Sequence, residues 1–193
     1  MSEEIPLFPL NTVLFPGGPL QLRIFEARYL DLVKRCMRDG SGFGVVLIRE
    51  GPEAGGPAQT YDVGTYARIV DFSQQPDGLL GIRAQGERRF RIVERRRARD
   101  GLNLADVEWL PADPFVALPE EFAEIGPAID AALTQAGDPY LDIERCPDDA
   151  AWVAGRLAEI LPVPPVHKQH CLELEDPVER LRYLRPMFEI SYQ

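Results

Sequence analysis

The opening segment is the feature that most constrains the fold. Between Ile5 and Leu20 the chain has four prolines and eight large apolar side chains. Proline has no amide donor, so within a sheet it is confined to edges, strand starts and turns. The apolar side chains nevertheless require burial. An apolar edge strand, a turn and a second strand satisfy both demands, so the segment predicts that the chain begins in a β-sheet.

The first 115 residues predict strands with one early helix. A strand is expected over 21–25, helical spacing follows over 26–39, and Gly40 ends that run. Pro76-Asp77-Gly78 is a strong turn signal between apolar runs, so 63–72 and 79–84 predict a hairpin. The other expected strands cover 43–48, 88–93 and 102–110. About seven strands with one helix predict a small, closed or nearly closed β barrel over 1–115.

The remainder, 116–193, predicts a helical bundle. Apolar residues recur at helical spacing over 118–136, and Asp148 and Asp149 are plausible caps for a helix over 150–161. A short helix is expected over 166–174. Asp176-Pro177 has the pattern of an N-cap followed by proline at the first helical position. Pro186 predicts a kink or an early break in that last helix.

Composition and charge limit the compartment and the partners. The formal net charge is −10. Residues 1–115 carry 15 Lys+Arg against 16 Asp+Glu, whereas 116–193 carry 6 against 15, so the acidity lies in the second part and disfavours nucleic acid and acidic membranes there. The absence of an 18-residue apolar run predicts no membrane span. Three distant cysteines and an acidic start lacking a secretory pattern predict a cytoplasmic protein with reduced thiols.

Three blocks in order resemble a known family. The first covers 5–37 and contains the Pro-Leu-x-x-x-x-Phe-Pro core from Pro9 to Pro16. The second covers 63–92, with the predicted hairpin and the Gly86-Glu87-Arg88-Arg89-Phe90-Arg91-Ile92 strand. The third covers 157–188, with Leu-Pro, a helix, Leu-Glu and an Asp-x-x-x-Arg-Leu ending. Together they resemble the N-terminal substrate-binding domain of the Lon protease family.

The resemblance implies an α+β fold, with a barrel of the pseudouridine-synthase-associated (PUA-like) type followed by a helical bundle. It also implies contact with protein substrates. The motor of Lon needs a Gly-Lys-Ser/Thr phosphate loop, but Lys34 and Lys168 are the only lysines and neither lies in one. No serine lies in the context of the family's serine–lysine peptidase pair. We therefore expect a standalone module that is not an enzyme, with no catalytic residues and no cofactor.

A metal site is not expected. His167 and His170 lie three residues apart and would share a helix face, with Cys171 pointing elsewhere. A zinc site needs about four ligands, and no acid or thiol is spaced to complete this set. The segment fits a helix start with polar residues outside and Cys171 packed inside.

The arginine-rich segment 83–99 supplies an alternative function. It contains eight arginines offset by Glu87 and Glu94, and arginine suits phosphate contacts, so an RNA-binding barrel is the second hypothesis. The limited aromatic interleaving and the acidic second half favour instead a solvated strand face and loop, or a face that docks against the acidic helices. A third hypothesis is an enzyme with an unrecognised pocket, which a deep cavity lined by ionisable groups would favour.

The aromatic and aliphatic excess of the first half favours protein recognition. Exposed apolar surface with a polar rim is how a protein binds unfolded or tagged polypeptide segments. The candidate peptide-binding residues are Tyr66, Phe72, Leu79 and Leu80, each of which fits a core position equally well. The expected partners are unfolded or tagged polypeptides, a protease or another protein, rather than nucleic acid or membrane.

Overall fold

The structure is a computed structural model and describes residues 3–54, 56 and 58–191. These residues form a mixed α/β fold with a mostly antiparallel sheet and five α-helices. The strands are β1 (Glu3–Leu10), β2 (Pro19–Ile24), β3 (Phe43–Glu50), β4 (Gln59–Thr60), β5 (Val63–Gln74), β6 (Leu80–Arg97) and β7 (Asn103–Trp109). The helices are α1 (Ala27–Asp39), α2 (Ile125–Ala136), α3 (Ala150–Ile160), α4 (Pro165–Glu173) and α5 (Pro177–Ser191). A 3-10 turn, Glu120–Phe122, precedes α2.

The chain divides into two compact units between Leu110 and Pro111. The first unit contains the sheet and α1, and the second contains α2 to α5. In the first unit the strand order is β1-β7-β6-β5-β3, and β3 also pairs with β1 in parallel, so the path of pairings returns to its first strand. Strand β2 pairs with β6, and β4 pairs with β3.

Several local signals in the sequence are confirmed. Gly40 ends α1 in the left-handed conformation, at φ 63°, which only glycine adopts without strain. The turn at 76–78 joins β5 to β6 and is closed by a bond from the Gly78 amide to the Gln75 carbonyl. The Asp149 carboxylate accepts a hydrogen bond from the Ala151 amide and caps α3. Each signal acts within a few residues, where the local pattern determines the geometry.

Three expectations about element boundaries are wrong. The strands expected over 79–84 and 88–93 form one strand, β6, because both halves stay paired with β5. The helix expected over 118–136 begins at Ile125, so Pro127 lies in its first turn, where its missing amide breaks no intrahelical bond. The early break at Pro186 does not occur, because α5 continues to Ser191 and buries Leu181 and Leu184 completely.

Phe90 organises part of the core in the first unit. Its ring is completely buried and lies against Gly44 and Gly64 of the neighbouring strands β3 and β5. A Cβ atom at Gly44 would lie 2.6 Å from Phe90 Cζ, and one at Gly64 would lie 2.8 Å from the same atom. Two glycines thus make room for one large aromatic side chain, which explains why they occur within strands.

A buried ion pair holds the start of the second unit. Arg180 of α5 is 2% exposed and bonds both carboxylate oxygens of Asp113, with Nη2 to Oδ1 at 2.9 Å. The same guanidinium donates to the Leu174 carbonyl through Nε and Nη2. The pair therefore fixes the segment after Pro111 against the turn between α4 and α5.

We predict that Arg180→Met destabilises the protein by about 3–5 kcal/mol, because it leaves a poorly solvated carboxylate without its cation. Urea unfolding followed by circular dichroism measures the change. The control is Arg182→Met on the same helix, whose exposed pair with Glu179 leaves the unfolding midpoint unchanged. Equal midpoints for the two variants would contradict an anchoring role for Arg180.

Candidate functional site

Exposed apolar side chains of the first unit meet at a pocket between the end of α1 and β5. Met37, Val70 and Phe72 are 44%, 53% and 55% exposed. The pocket has a volume of about 250 Å³. Its lining is completed by Cys36, Gly40, Ser41, Arg68, Ile69 and Asp71. Because these apolar groups cluster around a concavity instead of being exposed one by one, this surface is the candidate functional site of the first unit.

The connection from α1 to β3 positions one wall of this pocket. After Gly40 the chain passes through Gly42, whose amide donates to the Tyr66 hydroxyl and whose carbonyl accepts from Cys36 Sγ at 3.4 Å. A Cβ atom at Gly42 would lie 2.1 Å from the Ala67 carbonyl oxygen. This close backbone approach brings the end of α1 against β5 and leaves Met37 beside Val70 and Phe72 at the pocket.

The other wall of the pocket is the part of β5 that pairs with a neighbouring strand on one side only. The pairing of β5 with β3 ends at Phe43 and Ala67, whereas its pairing with β6 continues to Gln74. From Arg68 onward, the outer edge of β5 therefore has no strand partner among the described residues. The register with β6 shifts between Ile69 and Asp71, and the Phe72 amide donates to Asp71 Oδ1 at 2.9 Å.

The four predicted peptide-binding residues lie in different surroundings. Phe72 lines the pocket. Leu79 and Leu80, at the hairpin turn and the start of β6, are half-buried, and Leu80 packs against the core. Tyr66 is half-buried and contacts the Trp109 ring edge-to-face at 5.4 Å. It lies six residues from Phe72, about 20 Å along an extended strand. The pocket contains one of these four residues.

Two residues of the pocket were missed by the sequence reasoning. Met37 occurs at helical spacing with Tyr29 and Val33, and this spacing alone favours a buried position for it on α1. The buried residue of that turn is instead Cys36. Val70 lies inside an apolar run that predicts a core strand, and nothing in the run indicates that β3 begins only at Phe43, opposite Ala67. Cys36 gives a clearer signal. It follows Val33 by three residues and Tyr29 by seven, which is the spacing of side chains on one face of a helix.

The pocket has the electrostatics of a binding surface. Arg68 pairs with Glu87 at 2.7 Å, and Asp71 lies 3.8 Å from Arg83, so the charges at its lining are compensated. Burial raises the pKa of the Cys36 thiol, which therefore stays protonated and weakly nucleophilic at neutral pH. Burial also raises the pKa of Tyr66. The residues that line the pocket accordingly favour apolar contacts over acid–base or nucleophilic chemistry.

The arginine-rich segment is largely engaged in contacts within the sheet. Arg95 pairs with Asp62, and Arg96 bonds Asp106 and Glu4. The Arg88 guanidinium lies 3.4 Å above the Trp109 ring centroid. Arg89 is 5% exposed. These contacts use the arginines to join β6 to its neighbouring strands.

The histidine cluster packs against an aromatic side chain. His167 Nδ1 and the Tyr183 hydroxyl are 2.7 Å apart, and the His170 ring lies 4.5 Å from the Tyr183 ring centroid. Over residues 3–54, 56 and 58–191, no group of three or more His, Cys, Asp or Glu side chains is arranged to hold a metal ion. Within the same ranges, no helix is long and apolar enough to cross a membrane.

A second pocket lies within the second unit. It has a volume of about 500 Å³ and lies beside the 3-10 turn and the start of α2. Phe122, Ile125 and Phe188 supply apolar lining, and Arg185 lies at its edge in an ion pair with Glu121 at 2.9 Å. Glu120 and Glu124 add two further carboxylates to the lining, so this pocket also combines apolar and charged groups.

Comparison with known proteins identifies the family. The chain matches the model of the ATP-dependent protease La (LON) substrate-binding domain over residues 4–188. The chain belongs to this family. It is 38% identical to the Lon N-terminal domain protein of Xanthomonas campestris, whose crystal structure superimposes with a TM-score of 0.79 and covers 95% of this chain and 98% of that one.

Other relatives include Lon proteases of which this chain matches only a part. The N-terminal domain of the Mycobacterium avium complex Lon protease shares the fold, with a TM-score of 0.64 at 17% identity over 96% of this chain and 97% of that chain. The Lon protease of Haemophilus influenzae is 27% identical over 97% of this chain and 24% of its own length. Lon protease 2 of Myxococcus xanthus is 39% identical over 49% of this chain and 12% of its own length. The chain therefore spans a quarter or less of these two proteases.

We predict an order of thiol reactivity that tests whether Cys36, which lines the pocket, is buried. Cys146 is half-buried, whereas Cys36 and Cys171 are buried, and burial raises the pKa of Cys171 to about 12. Iodoacetamide at pH 8 should therefore modify Cys146 first and Cys171 last, as measured by peptide mass spectrometry. All three thiols should react at the same rate in urea. Rapid modification of Cys36 in the folded protein would contradict its burial beneath the pocket.

Proposed function

We propose that this protein is a non-catalytic recognition module that binds exposed apolar segments of unfolded or tagged polypeptides in a process linked to proteolysis. The observation that carries the proposal is the group of Met37, Val70 and Phe72 around one pocket, in a chain of the Lon substrate-binding family. Apolar side chains at a concavity gain free energy when a partner covers them.

The architecture that we propose for this role is a PUA-like barrel in the first unit and a helical bundle in the second. The circular path of pairings through β1, β7, β6, β5 and β3 supports the barrel assignment. The two units together constitute one substrate-binding domain, with a boundary near 111–115. The unpaired cysteines are in keeping with a cytoplasmic location, where thiols stay reduced.

The peptide-binding residues that we propose are Phe72, Leu79 and Leu80, extended to Met37 and Val70. Phe72, Leu79 and Leu80 flank one hairpin, which supports their acting together. Tyr66 has a supporting role. Its hydroxyl accepts a hydrogen bond from the Gly42 amide and so positions the pocket wall beside Met37. A protease or another protein that presents an apolar segment is a partner of the same chemical class.

The contacts of the arginines support polypeptide binding over the RNA alternative. Arg95 and Arg96 are held in ion pairs, and Arg88 covers Trp109. A cation that is already paired gains less from a phosphate, because it must first give up its partner. The pocket, in turn, presents apolar groups rather than cations.

We predict that the double substitution Val70→Ser and Phe72→Ser weakens binding of an unfolded polypeptide at least tenfold. A tenfold loss corresponds to about 1.4 kcal/mol, which is less than the burial of one Val or Phe side chain contributes. The probe is a fluorescently labelled, reduced and carboxymethylated protein that stays unfolded, and fluorescence anisotropy measures its dissociation constant.

The matched control removes exposed apolar groups from the second unit. Phe115 and Leu141 are 73% and 65% exposed, and the pair Phe115→Ser and Leu141→Ser should leave the dissociation constant unchanged. An equal loss in both double variants would argue against the pocket. Displacement of the unfolded probe by RNA at low salt, with a steep salt dependence, would favour the arginine-rich segment instead.

A further inference from the structure

The second half of β5 has hydrogen-bonding groups along its outer edge that pair with no strand among the described residues. Over 68–74 the strand is paired with β6 on one side, and among the described residues no strand lies on the other. On an antiparallel ladder, alternate residues direct both their N–H and their C=O groups away from the existing partner. An edge of this length therefore presents the backbone groups of roughly three residues to an incoming chain. The Phe72 amide is already satisfied by Asp71 Oδ1.

The open edge and the apolar pocket are formed by the same residues. Ile69, Val70 and Phe72 line the pocket, and Met37 closes it from α1. A strand laid along this edge would alternate its side chains, so that every second one points to the same face. The pocket, at about 250 Å³, is of a size to hold one apolar side chain from such a strand.

The charges beside the edge determine which kind of segment fits it. Arg68 is paired with Glu87, Asp71 lies near Arg83, and Arg38 at the end of α1 bonds Asp39 at 2.8 Å. A neutral edge is complementary to a neutral strand, because a charged side chain brought to it would lose hydration without gaining an opposite charge. Backbone groups in a row further select polypeptide, since no other common ligand offers donors and acceptors at the spacing of a strand.

The geometry points to strand addition: an extended, uncharged polypeptide segment pairs with β5 over 69–74 and inserts one apolar side chain into the adjacent pocket. This inference rests on the proposed function and specifies how the same site recognises its substrate. Main-chain hydrogen bonds supply affinity for many sequences, and the pocket adds a preference at one position. Such a surface recognises a polypeptide by its being extended and locally apolar.

The experiment uses the full chain and a neutral heptapeptide, acetyl-Ser-Val-Thr-Leu-Ser-Val-Thr-amide. Two further versions carry N-methyl groups on the odd-numbered or on the even-numbered amides. Strand addition requires one set of amides and leaves the other set facing solvent. We therefore expect one N-methylated version to lose at least tenfold in affinity and the other to bind within twofold of the parent peptide. Binding is measured by calorimetry.

Hydrogen exchange and a matched pair of variants complete the test. The parent peptide should slow amide exchange in 69–74. Val70→Lys, which places a charge at the open edge, should weaken the peptide at least tenfold. Val93→Lys alters an exposed valine of β6 outside the pocket and should have no effect.

The outcomes separate this inference from the proposed function. Equal binding of both N-methylated versions, or no binding of the heptapeptide while the unfolded protein still binds, overturns strand addition and leaves polypeptide recognition standing. Unfolded protein that does not bind at all overturns both. Protection confined to amides outside 69–74 overturns the location on β5.

Discussion

Gly86 is the point on which the sheet of this protein depends. Strand β6 pairs with β2 over Leu80–Gln85 and with β7 over Phe90–Arg97, so it changes partners at this residue. The Gly86 amide donates to the Gly18 carbonyl, and the Gly86 carbonyl accepts from the Gly17 amide. A Cβ atom at Gly86 would lie 2.4 Å from the Phe15 carbonyl oxygen. Only glycine permits this backbone approach. The proline-rich opening is thus held against the middle of the longest strand.

The open edge of β5 begins close to the same position. The register between β5 and β6 shifts where Tyr66 faces Arg88 and Ala67 faces Gly86. Such a bulge bends the strand and increases its twist, and the pairing with β3 ends at Ala67. The hairpin beyond this point continues without β3, which leaves one edge of β5 uncovered. Beyond the bulge, this edge of β5 therefore has no strand partner among the described residues.

An uncovered edge carries a risk of self-association, and this one is moderated by local devices. Asp71 engages the Phe72 amide, a second register shift falls between Ile69 and Asp71, and Pro76 lies at the hairpin turn. Bulges, prolines and charged residues at an edge disfavour pairing between copies of a protein. A site that binds unfolded chains must keep some backbone groups available, so partial rather than complete protection suits the proposed role.

The sequence predicts the elements of this fold well where a local signal suffices. Gly40, the turn at 76–78 and the Asp149 cap each act over a few residues, and all three were recognised. The continuity of β6 depends on partners far along the chain, and the burial of Cys36 rather than Met37 depends on how α1 rotates on the sheet. For the candidate site, Phe72 was identified from its position beside the turn. Val70 could not be, because its exposure depends on β3 beginning only at Phe43, opposite Ala67.

The exposed residues of the pocket are not required by the fold. Phe90, Gly44 and Gly64 fit together with little spare space, so a change to any of them disturbs the core. Met37, Val70 and Phe72 could be polar without loss of a core contact, since about half of each side chain is in solvent. A single exposed apolar residue needs no explanation. Three of them lie around one pocket, beside a strand edge with no strand partner among the described residues, and together these form the two surfaces that the proposed extended apolar polypeptide would cover.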